Sequence, residues 1–315
     1  MCTVLDPGML TTVQDLGRTG YRAYGVPSSG AMDRMALTVA NLLAGNTTAE
    51  AALEMTLRGA RLSFARPAFA AICGADMQAR LNGERIANWS SFVIPAGSEL
   101  SFDHAASGCR AYLALQGGIQ VPTVMGSRST YLRAQIGGLD GRMLRAGDEL
   151  PLREAMLPRQ SLALPPEMIP AYTPDITLRV MMGPQDKLFT AEGIATFLGQ
   201  AYKVTHRNDR MGYVLEGAKI AHTSAADIVS DALCPGSVQV PGSGMPIVMG
   251  SDCQTTGGYA KIATVIGPDL MCLAQSKAGD NIHFHTCTDD EAVQALREEH
   301  AFYRYIEDAV RPLRN

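Results

Sequence analysis

The chain has 315 residues, 46% of them hydrophobic and 18% charged, so it can bury a large core and exceeds the usual size of one domain. Lys plus Arg number 27 against 31 Asp plus Glu, a net charge of -4 that gives nucleic acid and anionic lipid no electrostatic footprint. The seven cysteines are scattered and never spaced C-x-x-C, which excludes a disulfide framework or thiolate zinc knuckle, and no run of apolar residues is long enough to span a bilayer. Met1-Cys-Thr-Val-Leu-Asp6 carries no secretion signal, so a cytoplasmic location and no membrane or nucleic-acid partner are expected.

The first segment with chemistry is Thr11-Thr-Val-Gln-Asp-Leu-Gly-Arg18 through Gly25-Val-Pro-Ser-Ser-Gly-Ala-Met-Asp33. Hydroxyls, an amide, carboxylates and an arginine stand there among residues that permit tight turns, the composition of a binding loop. Thr12, Gln14, Arg18 and Ser29 are its candidate substrate contacts. The alternative is structural: Thr12, Gln14 and Asp15 as turn bonds, Ser29 and Asp33 satisfying the start of the next helix, and Arg18 neutralising an acid. Asp33 precedes a helix predicted over Ala31 to Ala44 and ended by Gly45, a position that keeps a carboxylate ionised and able to accept a proton.

Short apolar segments bounded by Gly, Pro or Asp follow: Arg61 to Phe64, Phe69 to Ile72, Arg110 to Leu115, Ile176 to Met182, Pro246 to Met249, Lys261 to Ile266 and Asn281 to Phe284. They predict many strands. Ala96-Gly-Ser-Glu-Leu100, Ala146-Gly-Asp-Glu-Leu150 and Ala278-Gly-Asp-Asn-Ile282 repeat one turn-then-strand pattern common in barrels and sandwiches. Met156 to Pro174 holds five prolines and marks the boundary, giving domains over 1–165 and 166–315. Arg18-Thr-Gly-Tyr21 is echoed by Arg210-Met-Gly-Tyr213, Val26-Pro-Ser-Ser-Gly30 by Val240-Pro-Gly-Ser-Gly244, and Leu57-Arg-Gly-Ala-Arg-Leu62 by Leu215-Glu-Gly-Ala-Lys-Ile220, the last two in opposite order in the two halves, which excludes a simple tandem repeat.

In the second half Asn208 to Tyr213, Pro235 to Pro241 and Ser251 to Lys261 repeat the polar, glycine-rich mixture. Arg210 suits a carboxylate, Gln239 an amide face, and Thr255-Thr256-Gly257-Gly258 an oxyanion or carboxylate cradle or else a wide hairpin turn. Asp252 is a proton carrier and Lys261 a counter-charge to a developing oxyanion. His283, His285 and Cys287 alternate on one strand face, but an exposed barrel strand explains them better than a metal, and none is expected. The chain ends in a helix over about 289 to 311, opened by a Thr288/Glu291 capping box, striped by Val293, Leu296, Tyr303, Ile306 and Val310, and stopped by Pro312. Neither a G-x-x-x-x-G-K-[ST] loop nor a G-x-G-x-x-G turn occurs, so any ATP step belongs to another chain.

Pro7 to Arg18, Gly30-Ala-Met-Asp33, Ala40 to Asn46, Leu53-Glu54, Gln116 to Pro122 with Met125-Gly-Ser127, Asn208 to Tyr213, Gly236 to Pro241 and Gln254 to Tyr259 carry a resemblance over nearly the whole chain. The sequence resembles the biotin-dependent-carboxyltransferase-like family, which includes the C subunit of 5-oxoprolinase, Kip-antagonist proteins, allophanate hydrolase subunit 2 and the carboxyltransferase domain of urea amidolyase. The resemblance implies a mainly β chain with a few helices, in two cyclophilin-like β-barrel domains. Gly117 to Gly147 is most similar to the 5-oxoprolinase branch, which implies a hetero-oligomer with A-type and B-type (Kip-inhibitor-like) subunits that opens 5-oxoproline to L-glutamate with ATP. On that reading Arg18 or Arg210 holds the substrate carboxylate, Asp33 and Asp252 handle protons, and Lys261 answers charge on oxygen. The family also implies two other activities: biotin-dependent carboxyl transfer to urea or a related amide, and non-catalytic antagonism of a kinase-inhibitor subunit. Ala155-Met156 is followed by Leu157 rather than lysine, so biotin would have to be carried by another chain.

Overall fold

A computed structural model describes residues 1–154 and 160–311. Leu157 and Pro312, and with them the absent biotin lysine and the expected helix stop, lie outside the described residues. The chain separates into two compact units, one of Met1–Arg18, Ser29–Tyr172 and His300–Asn315, the other of Thr19–Ser28 and Thr173–Glu299.

The first unit is built on two antiparallel sheets. One has six strands in the order Glu149–Leu150, Cys2–Asp6, Arg61–Phe64, Ser98–Ser101, Arg80–Leu81 and Glu84–Arg85. The other has five, Leu10–Gln14, Ala52–Thr56, Ser107–Leu115, Ala68–Asp76 and Ser90–Ile94. Both sheets feed one core: Val4, Leu62, Phe64 and Leu100 from the first join Val13, Leu53, Met55, Ile72 and Leu113 from the second. Successive strand side chains point to opposite faces, so this arrangement needs an apolar residue at every second position, which Arg61-Leu-Ser-Phe64 supplies. Helix α1, Arg34–Leu43, packs on the five-stranded sheet and ends where Gly45 takes a left-handed φ of 77°. It begins three residues later than the sequence predicts, because Asp33 is its N-cap.

In the second unit seven strands close a barrel: Asp175–Met182, Lys261–Val265, Ser237–Gln239, Ile247–Met249, Gly212–Glu216, Tyr202–Asn208 and Asn281–Thr286. The ring shuts through a parallel pair in register from Asp175↔Asn281 to Val180↔Thr286. Helix α2, Ala191–Gly199, lays Phe197 against Phe284 with ring centroids 4.4 Å apart, and α3, Leu270–Gln275, packs on Asp175–Met182. Asp227–Ala232 and Thr256–Tyr259 form a separate two-stranded sheet. The expected mainly β chain with a few helices is what the structure has, with a closed barrel in this unit and paired sheets in the other.

Helix α4, Asp289–Val310, opens as expected: Glu291 Oε2 accepts from Thr288 N at 2.7 Å while Thr288 Oγ1 accepts from Glu291 N at 3.3 Å. Its apolar stripe is buried as expected at Ile306 and Val310, 1% and 3% exposed, but differs near the helix start. Ala292 and Ala295 pack with Ile266 and Cys287, leaving Val293 and Leu296 44% and 42% exposed. Thr288→Ala removes the box and is expected to cost about 1 kcal/mol, read as a lower urea midpoint with loss of helical signal; an unchanged midpoint would show that packing alone sets this helix.

Candidate functional site

In the first unit the candidate residues gather at the end of strand Leu10–Gln14. Thr12 and Gln14 therefore sit on a strand, not on the loop that the sequence suggests, opposite Glu54 and Ala52. The run Leu-Thr-Thr-Val-Gln does not alternate polar with apolar because nearly all of it is buried. Gln14 Nε2 donates to Thr12 Oγ1 at 3.0 Å and Thr130 O at 3.2 Å, and Gln14 Oε1 is buried without a partner. Arg18 is 1% exposed, and its Nη2 donates to Ser129 O.

Between them Asp15, buried, accepts from Ser127 Oγ at 2.6 Å, Ser129 Oγ at 2.5 Å, Arg128 N at 2.6 Å and Gly17 N at 2.8 Å. One carboxylate thus ties the turn after the strand to the 127–129 segment. From sequence Asp15 is an ordinary turn residue, because its partners lie more than 110 positions away. Ser29 holds a left-handed φ of 53°, and its Oγ is buried without a partner. Next to it Gly30 has φ 85°, and any Cβ there would lie 2.7 Å from Gly17 N. The close approach of Gly30 to Gly17 leaves no room for a side chain there.

Asp33 is fully buried; its carboxylate accepts from Ala36 N at 2.8 Å and its own N–H donates to Tyr112 Oη at 2.8 Å. Tyr112 in turn donates to Glu54 Oε2 at 2.7 Å, which also accepts from Met32 N at 2.8 Å. Burial, and after it the Glu54 charge, pushes the Tyr112 hydroxyl well above its ordinary value. This geometry matches the structural alternative read from the sequence, in which Asp33 starts the helix.

The second unit holds the other candidates. Arg210 and Asp252 are buried against each other in a bidentate pair, Nε to Oδ2 at 2.9 Å and Nη2 to Oδ1 at 3.0 Å. Both are expected from sequence to act on substrate, whereas here each engages the other. Lys261 Nζ donates to Asp231 Oδ2 at 2.7 Å and Ala232 O at 2.6 Å. Its ammonium is thus shared with a carboxylate that nothing in the sequence singles out. Gln239 Nε2 donates to Tyr259 O at 3.1 Å. Thr255 is partly buried, Thr256 exposed, and Thr256 and Gly257 lie in the strand paired with Asp227–Ala232, so the expected loop cradle is a ladder instead. A Cβ at Gly257 would meet Gln239 Nε2 and Leu233 Cδ1, each at 2.7 Å.

Arg22, which the sequence does not single out, reaches the same strand end, and its Nη2 donates to Leu233 O. Its only signal is position, directly after the echoed Arg18 to Tyr21 stretch. Among the described residues no group of three or more His, Cys, Asp or Glu side chains is arranged to hold a metal. No helix among them is long and apolar enough to cross a membrane.

Hydrogen bonding to Lys261, and then to Ala232 N and Gln185, pulls the Asp231 carboxyl from 3.8 down to about 2. A lowered folded value favours the ionised, folded state above the ordinary value and loses that advantage as pH falls through about 2. The difference in melting temperature between wild type and Asp231→Asn should therefore hold constant above about pH 4 and shrink towards about pH 2. A difference that stays flat across that window would remove Lys261 as its cause.

A family model described as carboxyltransferase domain, subdomain A and B, matches residues 24–286, and the chain belongs to that family. It is 38% identical over 308 residues to the C subunit of 5-oxoprolinase from Escherichia coli (strain K12), covering 97% of each chain. It is 35% identical over 306 residues to the C subunit of 5-oxoprolinase from Haemophilus influenzae, again over 97% of both. The crystal structure of the K. lactis urea amidolyase superposes with a TM-score of 0.91 at 31% identity, over 97% of this chain but only 20% of that one.

Proposed function

We propose that this chain is the C-type subunit of an ATP-dependent 5-oxoprolinase, acting with A-type and B-type subunits to open 5-oxoproline to L-glutamate. The observation that supports this most is the end-to-end match to chains named as the C subunit of 5-oxoprolinase, against a match to one fifth of the urea amidolyase structure.

The candidate centres favour placing ATP with a partner. A triphosphate needs several cationic or N–H donors free to face it, but of the cations that the sequence suggests Arg210 is neutralised by Asp252 and Lys261 by Asp231, and Arg18 is only 1% exposed. These residues do not fit ATP. The centres suit the amide group of a small lactam better, with Gln14 Oε1 able to accept from an N–H and Ser29 Oγ able to donate to a carbonyl.

Purified together, this chain and its A- and B-type partners should hydrolyse ATP only when 5-oxoproline is present, forming glutamate in step. ATP turnover that ignores 5-oxoproline, or none at all from an intact assembly, would end this reading. The likeness to urea amidolyase favours a second one, carboxyl transfer from a biotin borne by another chain. It predicts urea-dependent consumption of a carboxylated biotin carrier, measurable with the same preparation, and failure to bind the carrier would count against it.

A further inference from the structure

The end of strand Asp227–Ala232 holds more positive than negative charge. Ala232 O accepts from Lys261 Nζ and the next carbonyl, Leu233 O, accepts from Arg22 Nη2. Two cations are thus held on successive carbonyls, and the Lys261 ammonium is answered by Asp231 at 2.7 Å. Arg22 is not answered: none of the ion pairs among the described residues includes it, and its Nη1 is buried without an acceptor. Arg210, the arginine of this unit that the sequence does suggest, has Nε and Nη2 on Asp252.

The surroundings make that imbalance consequential. Leu233, Met249 and Cys253 form an apolar cluster with Ile247 against it. Cys253 lies beside Arg22; burial pushes its thiol up, and the Arg22 charge and a hydrogen bond from Arg22 pull it back, a partner that carries no full charge to balance the guanidinium. Arg22 is partly buried, so its guanidinium has lost part of its water without gaining a counter-ion, and a bound anion restores the balance. Its planar fork matches a carboxylate, and an apolar wall beside it suits a small ring better than a strongly hydrated phosphate.

We propose that Arg22 is the carboxylate-binding residue of this protein, taking a small carboxylated lactam by its acid group. The identity of the lactam rests on the function proposed above; the need for a carboxylate does not. Arg22 thereby takes the part that the sequence suggests for Arg18 or Arg210. It sets specificity and takes no part in bond making.

The test uses the assembled complex and two ligands that differ only in charge, 5-oxoproline and 2-pyrrolidinone, the same ring without the acid. In the Arg22→Gln complex the KM for 5-oxoproline should rise about 10- to 100-fold, with kcat and the KM for ATP little changed. Arg22→Lys should restore part of the loss, because the charge stays while the fork is gone. The same two ligands are titrated into the assembly, or into the full chain if no assembly forms, with melting temperatures recorded to show that each variant folds. Wild type should prefer the acid and Arg22→Gln should not. A wild type that binds neither ligand, or both equally, overturns the proposal, as does an Arg22→Gln protein that keeps the preference. If the wild-type complex shows no ATP hydrolysis dependent on 5-oxoproline but the chain still binds acids through Arg22, the proposed function falls and this inference stands.

Discussion

Asp252→Asn is expected to destabilise the chain by about 3–5 kcal/mol, the cost of leaving a buried guanidinium without the carboxylate that neutralises it. The Arg210 and Asp252 side chains are 6% and 5% exposed, so water cannot take over the lost role. The pair also joins two turns of the second unit, since Asp252 N donates to Arg210 O at 2.9 Å and Gly250 N to Met211 O at 2.8 Å. Arg210→Met alone should cost a similar amount by stranding the carboxylate instead. The double variant Arg210→Met with Asp252→Leu, apolar and of similar volume, should recover most of the loss, because two unpaired charges are then removed together. Urea titration of the four proteins forms the cycle that separates pair from parts. A loss under about 1 kcal/mol in Asp252→Asn would mean that the site is wetter than its burial indicates.

Much of the fold is legible because the local pattern and the final environment agree. Arg61 to Phe64 alternates in sequence and lies half in the core, and the three Ala-Gly turns place Gly97, Gly147 and Gly279 at φ of 77°, 88° and 100° just before strands. There only glycine enters the left-handed region without strain. The Thr288/Glu291 box is equally local. Legibility fails where the deciding contact is remote. Thr256-Gly-Gly-Tyr259 reads as a turn because its glycines lack strand propensity, yet pairing with Asp227–Ala232 makes it a strand. Val293 and Leu296 fit a helical stripe, but Ala292 and Ala295 allow the closer approach and take the buried face.

The candidate site divides in the same way. Sequence finds Thr12, Gln14, Arg18, Ser29, Arg210 and Asp252 as chemically unusual, and all six are buried. It does not reveal what each one holds. Arg210 and Asp252 are 42 positions apart, Lys261 and Asp231 30, Arg22 and Leu233 211, and no periodicity connects such pairs. A free charge and a neutralised one look alike in sequence, so Arg210 suggests a ligand contact and Arg22 suggests nothing. The distinction is electrostatic and exists only once the chain has folded.

Gly137→Ala is expected to cost about 2–5 kcal/mol, whereas Gly147→Ala, at a more positive φ, is expected to cost only about 1–2 kcal/mol. Both substitutions put a Cβ into the left-handed region, with φ of 69° and 88°. They differ in what that Cβ meets. At Gly147 nothing lies within 4 Å, so only the conformational term applies. At Gly137 the added carbon would stand 2.0 Å from Ser129 O and 2.2 Å from Arg18 Nη2, the two atoms that bond each other. Backbone cannot swing aside as a side-chain tip can, so the insertion must displace the Ser129 carbonyl, and with it the Ser129 hydroxyl that donates to Asp15 at 2.5 Å. Arg18, the Asp15 turn and Gln14, whose Nε2 bonds the next carbonyl at Thr130, should then loosen together. Limited proteolysis should cut Gly137→Ala faster between residues 127 and 138 and leave Gly147→Ala near wild type there. Equal losses in the two proteins would show that backbone dihedral alone sets the cost and that the Arg18 cradle yields freely.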